Sequence, residues 1–346
     1  VNGAGPPKAA FRVTLEGRDL TERFAPRLIS LRLCEKRDGE ADELELQISD
    51  HDGRLEIPND GAELEVSIGW ARGPGVRLGL VEKGRFKVDE VSWAGPPDML
   101  TIKARSADFS DSFRIRREVK RKGTTLGAIL GEIARDNGLA ASIAPELASI
   151  AIPVLAQDQR SDAALLRFLG RRYDAVATVK GGKLIFAPIG KGSTAGGRAL
   201  PAFSITRKSG DSYSWQRAAR EEYDGVEARW HDKDSGERKT VVVESPPPPG
   251  APATGKRKPK RLRRTFHSEA DAKAAAQAEQ KRVQRAAASF ELTLAFGNAE
   301  LYPEQQGKVT GFKPSIDATT WLAEEVTHTM DGNGGFRTGL KLERYA

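Results

Sequence analysis

ELELQISD, Glu43–Asp50, and ELEVSIGW, Glu63–Trp70, are the two stretches whose reading decides how this chain folds. In the first, Leu44, Leu46 and Ile48 alternate with Glu45, Gln47 and Ser49. In the second, Leu64, Val66, Ile68 and Trp70 alternate with Glu65, Ser67 and Gly69. Period two with one polar face is what a half-buried antiparallel strand requires. Phe86, Val88 and Val91 carry the pattern on, followed by Leu100 and Ile102. Turn chemistry separates the segments at Asp52-Gly53, Asn59-Asp60-Gly61, Gly73-Pro74-Gly75 and Gly95-Pro96-Pro97. Short strands punctuated this closely predict a barrel or sandwich over the first hundred residues.

Working outward, the period changes. Thr124 or Thr125 can cap a helix with the apolar face Leu126, Ile129, Leu130 and Ile133, closing at Asn137-Gly138. Ser161 caps a second helix carrying Leu165, Leu166, Phe168, Leu169 and Tyr173. A hairpin turns at Gly181-Gly182, between Ala175–Val179 and Lys183–Ala187. β-segments resume at Gly225–His231 and Arg238–Glu244 around Asp234-Ser235-Gly236. The tract Pro246–Pro249, with Gly250, Pro252 and Gly255, cannot hold a ladder and reads as an exposed loop. Ser268–Ala288 is Ala-, Glu-, Gln- and Lys-rich, hence helical, with an alanine face on which Val283 is the only large aliphatic. Phe290–Phe296, Lys308–Phe312, Trp321–Met330 and Phe336–Leu342 read as closing strands, the last pair joined by a turn at Asp331–Gly335.

This gives a β-rich α+β plan: a barrel-like domain over 1–108, an α+β insert over 109–190, and a second barrel-like domain over 191–346. The last contains a proline-rich basic loop (246–264) and a helix (268–288). The 346 residues leave room for two or three domains, and 38% hydrophobic with 30% charged residues describes a folded chain with much solvated or partner-facing surface. The net charge of +7 is a small excess of 55 basic over 48 acidic residues, and one run, Lys256–Arg264, carries seven of the basic ones. The lone cysteine, Cys34, excludes an intrachain disulfide; following the apolar-leaning Leu28–Leu33, it reads as a small buried residue suited to a reducing compartment. No run of about 18 apolar residues exists to span a membrane. The opening VNGAGPPKAAF lacks the layout of a signal peptide, so the chain is expected to stay in the cytoplasm unless a larger assembly carries it out.

No reactive centre is expected. His51, His231, His267 and His328 show no metal-ligand spacing, and with one cysteine no Cys/His zinc site can form. GxSxG and Walker A motifs are absent. Gly190-Lys191-Gly192 and Gly332–Gly335 read as turns. Acidic pairs such as Asp108/Asp111 or Glu221/Glu222 are of the number that chance supplies. The basic residues Lys256, Arg257, Lys258, Lys260, Arg261, Arg263 and Arg264 could contact phosphates by counterion release, yet no aromatic interleaves them before Phe266. A solvated loop that runs into a strand, or a loop that touches a partner protein, is the favoured reading over nucleic acid. No cofactor is implied.

In its ordered segments the chain resembles the late control protein D family of contractile-tail phages, and more distantly the hub region of type VI secretion VgrG proteins. The likeness is carried by Phe11–Thr21, Ala41–Gly53, Ile57–Ala62 with Ile68–Trp70, Gly84–Val91 and Gly95–Pro97. It continues through Thr125–Leu130, Gln159–Asp162 with Leu165–Tyr173, Gly182–Phe186, Trp321–His328 and Thr338–Leu342. The segment 246–264 reads as a local elaboration, and with Ala346 soon after the last hub-like strand the expectation is a hub lacking the oligonucleotide fold and β-helical spike that VgrG proteins append. The resemblance implies a non-enzymatic baseplate hub in a phage tail or tailocin, assembled in the host cytoplasm. It implies a homotrimer in which three pairs of similar domains offer a sixfold-like face to a hexameric tail tube and a threefold face to a separate spike. Partners so implied are other copies of the chain, the tube, the spike, other baseplate proteins and the tape-measure protein. A secretion hub, a nucleic-acid-binding protein and a cell-wall hydrolase remain as alternatives.

Overall fold

The structure, a computed structural model, describes residues 5–37, 41–106, 111–217, 223, 225–232, 235–245, 259–332 and 335–345. The N-terminal region supplies β1 (Lys8–Leu15), β2 (Arg18–Asp19), the single-turn α1 (Thr21–Phe24), β3 (Leu28–Lys36), β4 (Glu43–Ser49), β5 (Glu63–Arg72), β6 (Gly79–Ala94) and β7 (Met99–Ser106). The period-two stretches are β4 and most of β5. Leu44, Leu46, Ile48, Leu64, Val66 and Ile68 are buried in one core with Leu31, Leu33, Phe86 and Ile102. Burying each such side chain contributes about 2 kcal/mol. A one-residue slip would turn the whole set to water, and that penalty holds the register.

The insert follows as β8 (Arg116–Thr125), α2 (Leu126–Asp136), β9 (Ala140–Ile143), α3 (Pro145–Ala148), β10 (Ala151–Ser161), α4 (Asp162–Tyr173), β11 (Ala175–Lys180) and β12 (Lys183–Pro188). Thr125 and Ser161 are the N-caps of α2 and α4, accepting the Ala128 and Ala164 amide N–H groups at 3.2 Å. The two helices pack on the sheet β11–β12–β9 around Leu126, Ile129, Leu130, Leu165, Leu169 and Phe186, while among the described residues β8 and β10 pair only with each other.

The third region holds β13 (Phe203–Thr206), β14 (Gly210–Arg217), β15 (Gly225–His231), β16 (Arg238–Glu244), β17 (Lys260–Phe266), α5 (Glu269–Ala286), β18 (Ala288–Leu294), β19 (Gln306–Thr310), α6 (Pro314–Asp317), β20 (Trp321–Asp331) and β21 (Gly335–Arg344). The β-rich α+β architecture is as expected, but neither end closes into a barrel. Strands from both ends share one thirteen-stranded sheet, in the order β14–β18–β21–β20–β3–β4–β7–β6–β5–β1–β2, with β13–β19 joined at β20. The junction is the antiparallel pair β3–β20, in register from Lys36↔Glu325 to Ser30↔Asp331. Two cores lie along this sheet. One is the N-terminal core; the other contains Phe290, Leu292, Trp321, Val326, Leu340 and Leu342.

β15–β17 do not join that sheet. They form a separate three-stranded sheet covered by α5, whose Ala272 and Ala276 are fully buried against Val226, Ala228 and Phe266. The alanine face therefore packs closely, since only a methyl-sized side chain lets a helix approach a sheet so tightly. The proline tract and the residues up to 258 lie outside the described residues, as do Asp108, Glu221 and Glu222 and the Asp111 side chain.

Candidate functional site

Where the N-terminal sheet, the insert, α5 and the C-terminal sheet meet, the chain buries charge. The end of β3 is the source: after the apolar Leu31, Leu33 and Cys34 come Glu35, Lys36 and Arg37. Arg37 is buried, its guanidinium 2.5 Å from both Glu304 and Glu343 and its Nη2 donating to the Ala323 carbonyl at 3.3 Å. Arg285, on the last turn of α5 and only 3% exposed, grips Asp174 through two N–H groups, one at 2.7 Å, and reaches Glu343 at 3.0 Å. Two guanidiniums thus face three carboxylates. Burial holds Glu304 and Glu343 above the usual carboxylate range, only partly opposed by Arg37 and Arg285.

A second cluster sits beside it. The Lys83 ammonium lies 2.7 Å from Glu35 and donates to the Leu301 carbonyl at 3.2 Å. His328 is fully buried between Thr338, 2.9 Å from Nδ1, and the Leu301 carbonyl and Glu35, each 3.3 Å from Nε2. That partner pattern assigns a neutral ring with its proton on Nε2, and burial holds its pKa below the ordinary value. Burial would raise the Glu35 carboxyl, but the His328 hydrogen bond and the Lys83 charge together bring it down to about 2. Asp42 completes the set, accepting the Lys36 amide N–H at 2.9 Å and meeting Lys180 of β11 at 2.8 Å. These groups hold one another and lock the layers; none is an open acid or base.

The other singled-out groups stand apart. His51 follows β4, His231 ends β15 and His267 is exposed ahead of α5. Among the described residues no cluster of three or more His, Cys, Asp or Glu could hold a metal. Cys34 is buried in β3, its thiol pushed up to about 11 by burial, so it is a packing residue and a poor nucleophile. Of the basic run, Lys256, Arg257 and Lys258 lie outside the described residues. The others belong to β17 itself, so the run is strand and not loop from Lys260 onward. Lys260 pairs with Glu279 of α5 and Arg261 with Glu227 of β15, both at 2.8 Å. Arg263 is exposed, and Arg264 lies over the rings of Phe168 and Phe266. The structure therefore splits the four described residues into internal ties, Lys260 and Arg261, and exposed surface, Arg263 and Arg264.

The surface also exposes what an isolated chain has no reason to expose. Leu78, Leu80 and Phe296 are 53%, 39% and 52% exposed around a cleft of about 560 Å³ between the β5–β6 hairpin and the residues after β18. A second cleft, of about 660 Å³, adjoins it along Val81, Phe203, Ala299 and Tyr302. Trp70 spans the seam here, donating its indole N–H to the Gly297 carbonyl at 2.8 Å and packing on Phe296 and Phe336. At the far end of the sheet, β14 pairs only with β18 among the described residues, and Tyr213 and Trp215 stand exposed beside Phe290 and Phe312. An open strand edge carrying exposed aromatics is a pairing surface.

Sequence reading missed the buried charges, whose one local signal is three charged residues closing an apolar strand at 35–37. It also missed a second basic stretch, Arg114–Lys122, in which six of nine residues are Lys or Arg. There Arg117 and Arg121 turn inward to Asp136, Asp162 and Glu132, while Arg116, Lys120 and Lys122 alternate outward on β8.

Comparison with known proteins gives these surfaces a context. The family model described as phage tail baseplate hub (GPD) matches residues 43–334. A probable baseplate hub protein of Escherichia phage 186 is 39% identical, over 96% of this chain and 92% of that protein. Its counterpart in Escherichia phage P2 is 40% identical over the same shares. Among solved structures, a 43 kDa tail protein of prophage MuSo2 from Shewanella oneidensis superposes with a TM-score of 0.67 at 12% identity, covering 97% of this chain and 98% of that one. An Escherichia coli type VI secretion component superposes at 0.56 with 11% identity, covering 98% of this chain and 77% of that one.

Proposed function

The chain belongs to the phage tail baseplate hub family, and on that premise we propose that it works as a trimeric adaptor between a hexameric tail tube and a central spike. As a baseplate hub it is a structural part of the virion tail. One observation carries the finer reading: each chain holds two β cores strung along a single sheet, joined at β3–β20. Three chains so built offer six β units at one level, which is what a sixfold tube needs from a threefold partner. The exposed edge of β14 and the apolar rim of Leu78, Leu80 and Phe296 are the surfaces such an assembly would cover.

The same reading divides the chain into a tube-level unit over 1–108, an insert over 109–190 and a second unit over 191–346. It places assembly in the host cytoplasm, takes the spike, tube, tape-measure and other baseplate proteins as partners, and gives the chain no substrate to turn over. Likeness to secretion hubs is one of fold, whereas about 40% identity to two phage hubs favours the phage tail.

Mass photometry of the purified chain tests this. A trimer that Trp215→Arg or Leu80→Asp converts to monomer, with the fold intact by circular dichroism, is the expected result. A wild-type protein that stays monomeric across concentrations and salts, and shows no three-lobed ring by negative stain, overturns it.

A further inference from the structure

β10 and α4, consecutive in the chain, and β17, from a distant part of it, meet at one ring. Arg160 lies over Phe168 with its guanidinium carbon 5.0 Å from the ring centroid, and Arg264 lies over the same ring at 5.8 Å. Arg167, the preceding residue on α4, is exposed. None of the three arginines has a carboxylate partner among the described residues, whereas Arg117, Arg121 and Arg261 nearby on the same layers do. A ladder irregularity accounts for where Arg264 sits. From the pair Glu227↔Arg261 to the pair Arg229↔Thr265, β17 advances four positions while β15 advances two, and such a bulge re-aims side chains out of the pleat.

We propose that Arg160 and Arg264 over Phe168, with the exposed Arg167 next to it on α4, form a docking site for an acidic, Asp/Glu-rich segment of a partner protein. An aromatic ring beneath a guanidinium satisfies none of its N–H donors, so the fork of each arginine can still capture a carboxylate bidentately. Nucleic acid is the poorer fit. Binding of single strands relies on open aromatic faces on which bases stack, and Phe168 is half-buried with two guanidiniums over it. The site straddles the insert and the β15–β17 layer, so an occupant would also clamp those two units together. The hub reading enters only in locating the partner among tail proteins.

The test uses the full chain and fluorescence anisotropy of three labelled probes: oligoglutamate, oligoglutamine, and oligothymidylate of matched charge. Oligoglutamate is expected to bind with an affinity that falls as salt rises, while oligoglutamine does not bind. Arg160→Gln with Arg264→Gln should weaken oligoglutamate about tenfold or more, and the Lys pair, which keeps charge but loses the fork, should fall between. Arg85→Gln, at an exposed arginine elsewhere, should change little. If the double variant misfolds by circular dichroism, Arg160→Gln alone on the exposed face of β10 gives the same ordering. Equal binding by the double variant and Arg85→Gln, no binding by the wild type, or oligothymidylate held more tightly and lost in the same double variant would each overturn the proposal. Oligomer mass is measured on the same samples, because a monomer that still binds oligoglutamate would sink the adaptor reading and leave this one standing.

Discussion

Replacing Arg285 by Met should cost this protein about 3–5 kcal/mol, far more than loss of a surface ion pair. Arg285 is 3% exposed and its guanidinium touches two carboxylates, Asp174 and Glu343. Met fills much of the same volume, so little of the loss would come from a cavity. What is lost is compensation: Glu343 keeps Arg37 at 2.5 Å, but Asp174, itself 5% exposed, is left without its cation. Removing one partner of a buried ion pair and leaving the other uncompensated is the case in which losses of about 3–5 kcal/mol arise. The assay is urea unfolding at pH 7, with hydrogen exchange of the α5 and β11 amides to report the layer directly, since a chain with four cores need not unfold in two states. Arg285→Met/Asp174→Leu should recover more than half of the single variant's loss, because it removes the orphaned charge as well. A single-variant loss below about 1 kcal/mol, or no recovery in the double variant, would refute the claim that buried charge ties α5 to the insert.

Acid titration and side-chain packing probe the junction of the two β cores separately. Glu35 titrates in the fold at about 2, below its model-compound value of 4.5, so its contribution is present above pH 4.5 and is lost as pH falls toward 2. Between pH 5 and 2 the wild type should lose about 3 kcal/mol more unfolding free energy than Glu35→Gln; parallel acid-unfolding curves for the two would contradict this. Glu304 and Glu343 act with the opposite sign: their raised values favour stability below the ordinary carboxylate range and withdraw it as pH rises through the folded pKa. Gly297→Ala should destabilise by about 1–3 kcal/mol, because a Cβ there would fall 2.5 Å from the fully buried Phe336 ring. A thermal midpoint unchanged within error in Gly297→Ala would show that the seam has slack.

The parts of this fold that were legible in the sequence are those whose physics is local. Period two announced β4 and β5; capping hydroxyls announced α4 at Ser161 and α2 at Thr124 or Thr125, of which the structure uses Thr125. The β3–β20 pairing joins positions about three hundred residues apart, and strand periodicity says which face is buried but nothing about which edge is paired. Separate barrels were therefore the natural expectation, and one continuous sheet is the result. Charge misled for a related reason. Glu35, Arg37 and Arg285 look like solvated residues at element ends, and only long-range packing puts Glu304, Glu343 and Asp174 around the two arginines.

The same distinction bears on how a hub carries load. An ionic seam is costly to bury and gains little over an apolar one in stability, but it is directional, and a unit displaced by a few ångströms loses its partners altogether. An apolar interface of similar area tolerates sliding. Placing Arg37 and Arg285 where the two β cores, the insert and α5 meet therefore fixes the angle between the units more than it strengthens their union. In the proposed adaptor role, where two β cores per chain face a ring of tube subunits at one level, fixed geometry is the property that matters. On this argument, replacing the whole network by well-packed apolar residues would leave or raise the unfolding free energy while impairing assembly into rings. A variant set that kept both stability and ring formation would show that the seam sets no angle.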